Sequence, residues 1–137
     1  MIRFGILGFG HHAVRRLMPA FRGASQAQLA GLWRRDAAKA EANAREFSIP
    51  AVFPTPAELC ASPEIDAVFI VSPDALHLEH ILLAAKYGKH ILCEKPLAMN
   101  ADEVRQMLAA AEQSKVKFGV AQNMRYNASL HLIRDWI

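Results

Sequence analysis

Gly8-Phe9-Gly10-His11-His12-Ala13 stands directly after the apolar run Ile2 to Leu7 and opens a helical pattern. The spacing is G-x-G-x-x-A, and the chemistry it serves is the binding of a pyrophosphate. The first glycine permits a tight turn, and the second lets main-chain N–H groups approach the phosphates. The small sixth residue lets helix pack on strand. An ordinary glycine turn can carry the same letters, but a strand before and a helix after are what the binding motif requires. Gly8, Phe9, Gly10, His11, His12 and Ala13 are therefore the first candidate cofactor-binding residues. A solvated imidazole is the ordinary reading of both histidines, although His12 is close enough to a helix N-terminus to face a phosphate.

Four other polar groups follow apolar runs. About 20 residues past the glycine motif, where an acidic residue would hold the ribose hydroxyls of NAD, the sequence reads Trp33-Arg34-Arg35-Asp36. An arginine pair suits a 2′-phosphate, since guanidinium is a planar multi-donor cation. Arg34 and Arg35 thus point to NADP, with NAD as the alternative, and Asp36 reads as a helix N-cap. Ser72, Pro73 and Asp74 lead to His77; Ser72, Pro73 and His77 are candidate cofactor-binding residues, and either Ser72 or Asp74 is a credible cap. His77 and His80 lie three apart, but with no further carboxylate or cysteine at metal-ligand spacing they predict no metal site. Gln122 to Asn127 is a dense polar loop whose Gln122 and Arg125 are candidates for the cofactor cleft, with Asn127 capping the last helix. Glu94-Lys95-Pro96 follows Ile91 to Cys93. It reads either as a solvated strand exit or as a charged pair aimed at a ligand.

The elements that must position these groups alternate. Strands are expected at Ile2 to Leu7, Gln28 to Trp33, Ala51 to Phe53, Asp66 to Val71, His90 to Cys93 and Val116 to Ala121. The helical stripes between them are Ala13 to Phe21, Asp36 to Phe47, a Thr55–Glu58 capping box with Pro56 at its first position, Leu76 to Tyr87 ended by Gly88, and Val104 to Ala111 behind the cap pair Asn100–Glu103. Pro19 should kink or shorten the first helix. A last stripe runs along Leu130, Ile133 and Ile137. Strands that are continuous apolar runs fit a sheet covered on both faces. The expectation is an α/β, doubly wound, mostly parallel sheet of the Rossmann type, in strand order 3-2-1-4-5-6. In such a sheet ligands bind beyond the carboxyl ends of the strands. All five polar groups follow strands, so they should share one cleft.

Bulk properties bound the partners. A chain of 137 residues with 53% apolar and 21% charged residues is long and apolar enough for one folded core. A net charge of +3 fits an anionic small ligand, and is too small and dispersed to indicate nucleic acid. There is no signal peptide pattern and no apolar run of membrane-spanning length, so no membrane partner is expected and the cytoplasm is the default. Cys60 and Cys93 form no CxxC pair and read as free buried thiols.

With GFGHHA, SPDALH, CEKP and QNMRYN in this order, the sequence resembles the N-terminal domain of the Gfo/Idh/MocA oxidoreductases over essentially its whole length. The resemblance implies a two-domain enzyme that binds NAD or NADP and moves a hydride to or from a sugar, polyol or related carbon. It implies that Lys95 is catalytic, hydrogen-bonding the reacting substrate oxygen beside the nicotinamide, that Glu94 orients that end of the cofactor, and that the Lys95–Pro96 peptide is cis. A fixed ammonium would stabilise charge on an alcohol oxygen. Two departures are the alanine at position 13 and Asp74 in place of the family's usual asparagine. The family's second, sheet-rich domain supplies further substrate contacts, an acid/base histidine and commonly an oligomer interface.

Residues 1–122 are therefore expected to form the dinucleotide-binding domain, and residues 123–137 to begin a helix leading to a second domain that is absent from this chain. Such a chain should bind dinucleotide and turn over poorly alone. Its uncovered last helix would favour self-association. The competing readings are a stand-alone dinucleotide-binding module or redox sensor, and a methyltransferase-like enzyme, which would want an acidic residue where Arg34 stands.

Overall fold

The computed structural model describes residues 1–136. Six parallel strands form one sheet in the order β3-β2-β1-β4-β5-β6. They are β1 (Ile2–Leu7), β2 (Ala27–Trp33), β3 (Ala51–Val52), β4 (Ala67–Ile70), β5 (His90–Cys93) and β6 (Phe118–Val120). The expected order is the observed one. The reversal of direction across the sheet falls between β1 and β4, the switch point at which such folds bind ligands.

Side chains of the central strands alternate between two cores. Leu7, Val68 and Ile70 join Leu59, Ile81 and Met107 on one face, while Ile6 and Phe69 join Ala13, Leu17, Leu32 and Ala40 on the other. The first face is covered by α3 (Pro56–Ala61), α4 (His77–Lys86) and α5 (Ala101–Gln113), and the second by the first helix and α2 (Ala37–Phe47). All four residues of β4 are buried. That is why the strand is an unbroken apolar run rather than an alternating one.

The caps follow the sequence signals. Asp36 accepts from the Lys39 N–H, Thr55 from the Glu58 N–H and Asn100 from the Glu103 N–H. Glu103 reaches back to the Met99 N–H. Gly88 ends α4 in the left-handed region at φ 68. Pro19 neither breaks nor ends the first helix. A π-helical turn, Ala13–Leu17, runs into α1 (Met18–Gly23) with Pro19 in its first turn. The wider turn relieves the clash between a proline ring and the carbonyl of the preceding turn. The final helix, α6 (Ala128–Trp136), follows a 3-10 turn at Asn123–Tyr126 and leaves Leu130, Leu132, Ile133 and Trp136 exposed. Ile137, the last member of the predicted stripe, lies outside the described residues.

At the edge of the sheet remote from the polar loops, Arg3 grips Asp66. Its Nε and Nη2 donate to the two carboxylate oxygens at 3.0 and 2.7 Å, and its main-chain N–H adds a third bond. The Arg3 hydrogen bonds hold the Asp66 carboxyl at about 2, below its ordinary 3.8. A carboxylate with a depressed folded value stabilises the fold above its unfolded value and loses that contribution as pH falls. Urea melts of wild type and Asp66→Asn are therefore expected to differ most near neutrality, with the gap closing between pH 4 and pH 2. A gap constant across that window would show that the Arg3 contact adds nothing to stability.

Candidate functional site

All five polar groups follow strands at the carboxyl edge of the sheet, but only three of them line one cleft. Gly8 has φ 91, and a Cβ there would sit 2.6 Å from the Cα and N of Ser72. The position demands glycine twice, for its backbone angle and for the close approach of the post-β4 segment. Main-chain N–H groups of Gly8 and Phe9 both donate to the Trp33 carbonyl, at 3.0 and 3.1 Å, which pins the loop to the end of β2. Those two donors are thereby used. The donors left for an anion are those of the helix that starts at His11, whose first-turn N–H groups have no partner within the helix.

Gly10 is different. It is not in the left-handed region, and a Cβ there would meet only the Gly8 carbonyl oxygen, at 3.7 Å. Nothing in the fold requires glycine at this position. What a side chain at residue 10 would fill is open space over the loop, where a pyrophosphate would lie. The residues present thus fit a bound dinucleotide.

A cleft of about 310 Å³ runs from Gly8, Phe9 and Gly10 past Trp33, Arg34, Arg35 and Asp36 to Pro73 and Leu76. It unites three of the predicted groups. Arg34 is half-buried, and its Nη1 donates to Asn43 Oδ1 at 2.9 Å. Arg35 is exposed. Asp36 is turned to Lys39, whose N–H and Nζ hold its two oxygens; those contacts, with smaller help from Arg34, lower its pKa. A second groove lies beside the first helix, lined by His11, His12, Arg15 and Arg16. His12 joins the two ends of the site, its Nε2 lying 2.9 Å from Glu94 Oε1. The other Glu94 oxygen accepts the Lys95 N–H at 3.1 Å. The Lys95–Pro96 peptide is cis, and Lys95 is exposed.

Phe9, Ser72 and His77 were candidates for direct cofactor contact, but their side chains lie inside the protein. Phe9 is fully buried and packs against Phe47. The Ser72 hydroxyl pairs with His80 Nδ1 at 2.9 Å. His77 lies between main-chain carbonyls, its Nε2 2.9 Å from that of Ser72 and its Nδ1 3.0 and 3.2 Å from those of Pro96 and Leu97. This explains why neither Ser72 nor Asp74 caps the following helix. A 3-10 turn at Asp74–Leu76 intervenes, with no side-chain cap, and the serine hydroxyl is spent on His80. Burial pushes the His80 pKa down. Ala13 is buried, as its packing role requires. Gln122 and Arg125 are exposed beyond β6, next to the turn whose Ala121 N–H bonds the Cys93 carbonyl. They line neither cleft.

Sequence reasoning missed Asn43, Arg15 and Arg16. Asn43 carries a usable signal. It shares a helix face with Ala40 and Phe47 and is a weaker helix former than the alanines around it. Among the described residues there is no cluster of metal-ligating side chains and no helix long and apolar enough to cross a membrane. Cys60 and Cys93 are free, and burial pushes both thiols up to about 12.

The two glycines separate folding from binding. Gly8→Ala is expected to lower stability by about 1–3 kcal/mol, from the strained backbone and the clash with Ser72. Gly10→Ala should leave the thermal midpoint within a few degrees while weakening dinucleotide binding by about tenfold or more. Equal thermal losses, or unchanged binding by Gly10→Ala, would show that the loop is an ordinary turn.

The geometry has counterparts. The family model of Gfo/Idh/MocA, described as an oxidoreductase family with an NAD-binding Rossmann fold, matches residues 2–122. The chain is 34% identical over 137 residues to 1,5-anhydro-D-fructose reductase of Ensifer adhaerens, spanning 100% of this chain and 41% of that protein. KijD10, a 3-ketoreductase from Actinomadura kijaniata solved with TDP-benzene and NADP, superposes with a TM-score of 0.91 at 26% identity, over 98% of this chain and 42% of that one. A scyllo-inositol dehydrogenase from Lactobacillus casei, solved with NAD(H) and scyllo-inositol, gives 0.90 at 26% identity, over 98% and 40%. The chain spans 34% and 41% of the length of the first two curated relatives it matches. It belongs to the Gfo/Idh/MocA oxidoreductases and is their NAD(P)-binding Rossmann domain.

Proposed function

We propose that this domain serves an NADP-preferring oxidoreductase acting on a sugar, polyol or related small molecule. Residues 1–122 would be the dinucleotide domain and residues 123–137 the start of the connection to a substrate domain. The observation that carries the reading is the convergence at one sheet edge of an open Gly10, a half-buried Arg34 beside Arg35, and a Glu94–Lys95 pair. The reductase and dehydrogenase relatives act on an anhydro sugar and an inositol by their names, which supports the substrate class.

The cofactor, when bound, supplies or accepts the hydride. The chain's own residues do the rest. N–H groups at the start of the first helix receive the pyrophosphate, and Arg34 and Arg35 meet the 2′-phosphate. Glu94, held by His12, faces the nicotinamide end. Lys95 presents an exposed ammonium with no ion-pair partner among the described residues. It hydrogen-bonds the substrate oxygen and stabilises charge there as the hydride moves. A free ammonium at that point also favours an enzyme over a stand-alone sensor. Two free buried cysteines suit a reducing cytoplasm, and the apolar face of α6 offers a surface for a partner domain or a second copy.

Quenching of Trp33, which lines the cleft, gives a direct titration. NADPH is expected to bind more tightly than NADH, and Arg34→Asp should weaken NADPH by about tenfold or more while improving NADH. Tighter NADH binding by the wild-type chain would overturn the NADP assignment. Lys95→Met is expected to keep NADPH affinity within about threefold and, in a protein that joins this domain to a substrate domain, to lower turnover of a sugar or polyol by about 10²-fold or more. Unimpaired turnover would remove Lys95 from the mechanism.

A further inference from the structure

Asn43 occupies an interior position of α2, in the sequence Ala37-Ala38-Lys39-Ala40-Glu41-Ala42-Asn43-Ala44. Asparagine is a poorer helix former than alanine, because its side chain competes for backbone hydrogen bonds. The helix itself therefore gives no reason for it. Its half-buried side chain does one thing in the structure: Oδ1 accepts from Arg34 Nη1 at 2.9 Å. Arg34 stands at the end of β2, on the wall of the 310 Å³ cleft that begins at the glycine loop.

We propose that Asn43 is a specificity-determining residue, which fixes the Arg34 guanidinium in the cleft without neutralising it and so sets the preference for a cofactor bearing a 2′-phosphate. This rests on the reading that the cleft binds a dinucleotide. The chemistry of the acceptor is the point. A guanidinium has five N–H donors, and an amide oxygen engages one of them while leaving the charge intact. A carboxylate at residue 43 would orient Arg34 as well, but it would pair with the cation and compete with the phosphate. The nearby acid, Asp36, has both oxygens on Lys39 and forms no ion pair with Arg34 among the described residues. Arg34 thus enters the cleft oriented and still cationic, and an oriented arginine loses less side-chain freedom when it meets a phosphate.

The test is a set of dissociation constants for NADPH and NADH, measured by tryptophan quenching at low salt on wild type, Asn43→Ala, Asn43→Asp, Arg34→Ala and the double variant Arg34→Ala/Asn43→Asp. Asn43→Ala favours helix and is expected to stay folded; circular dichroism melts check each variant. Asn43→Asp should weaken NADPH by about tenfold and Asn43→Ala by about threefold, with NADH unchanged within about twofold. In the Arg34→Ala background, Asn43→Asp should have no further effect on NADPH, because its action runs through the guanidinium. A parallel loss for both cofactors would make Asn43 merely structural. A persisting loss in the Arg34→Ala background would make the new carboxylate repel the ligand directly. Either result overturns the proposal, as does unchanged NADPH binding in Asn43→Asp. Should Arg34→Ala alone lower NADPH binding while the Asn43 variants do not, the dinucleotide reading stands and only the role of Asn43 falls. A wild-type chain that binds neither cofactor removes both.

Discussion

The site depends on how closely two backbones pass. Gly8 and Ser72 follow the two strands that flank the switch point, and any side chain on residue 8 would strike the Ser72 backbone. From this contact a chain of main-chain bonds ties the loops together. The Trp33 carbonyl takes the N–H groups of Gly8 and Phe9, joining the loop after β1 to the end of β2. The Ser72 carbonyl meets His77, whose other ring nitrogen meets the carbonyls of Pro96 and Leu97, joining the segment after β4 to the segment after β5. Four loops are thus fixed by backbone groups and one buried imidazole. The arginine side chains on the cleft wall, Arg34 and Arg35, take no part in that work.

Much of this was legible from the residues. Strand order followed from the alternation of apolar runs with helical stripes, since right-handed crossovers leave few arrangements. Asp36, Thr55, Asn100 and Gly88 named their own helix ends because capping is local chemistry, decided within a few residues. The cis Lys95–Pro96 bond came from the family resemblance and not from any local signal. The segment after β4 was misread for a related reason. Ser72 looked like a cap because a serine before a helix usually is one, and His77 looked like a ligand because it follows a strand. Their real partners, His80 and the carbonyls past β5, are tertiary. One local sign was present. His77 and His80 fall in phase with Ile81 and Ala84, on the face of α4 that is buried. That phase marks both rings as interior.

Arg34 shows a different limit. The sequence could say that an arginine stands where an acid is usual, but not whether its charge remains available. That is decided by what lies around it. Asp36 is two residues away and could have paired with it, yet as the cap of α2 it is committed to Lys39. The acceptor that reaches Arg34 is an amide from a residue nine positions on. The helix start that engages the nearby carboxylate thus leaves the guanidinium without an ion pair among the described residues.

Charge is distributed with the same economy over the rest of the edge. His11, Arg15 and Arg16 line the groove beside the first helix, whose N-terminus adds a partial positive charge. The acid at the centre, Glu94, is only 17% exposed as a side chain, with one oxygen on His12 and the other on the Lys95 N–H. It is positioned by the helix that would receive the pyrophosphate and by the residue that would meet the substrate. With one oxygen on an imidazole and the other on a main-chain N–H, the carboxylate is held in one orientation. It also links the two ends of the site, so that displacing His12 from Glu94 would disturb the setting of Lys95 as well.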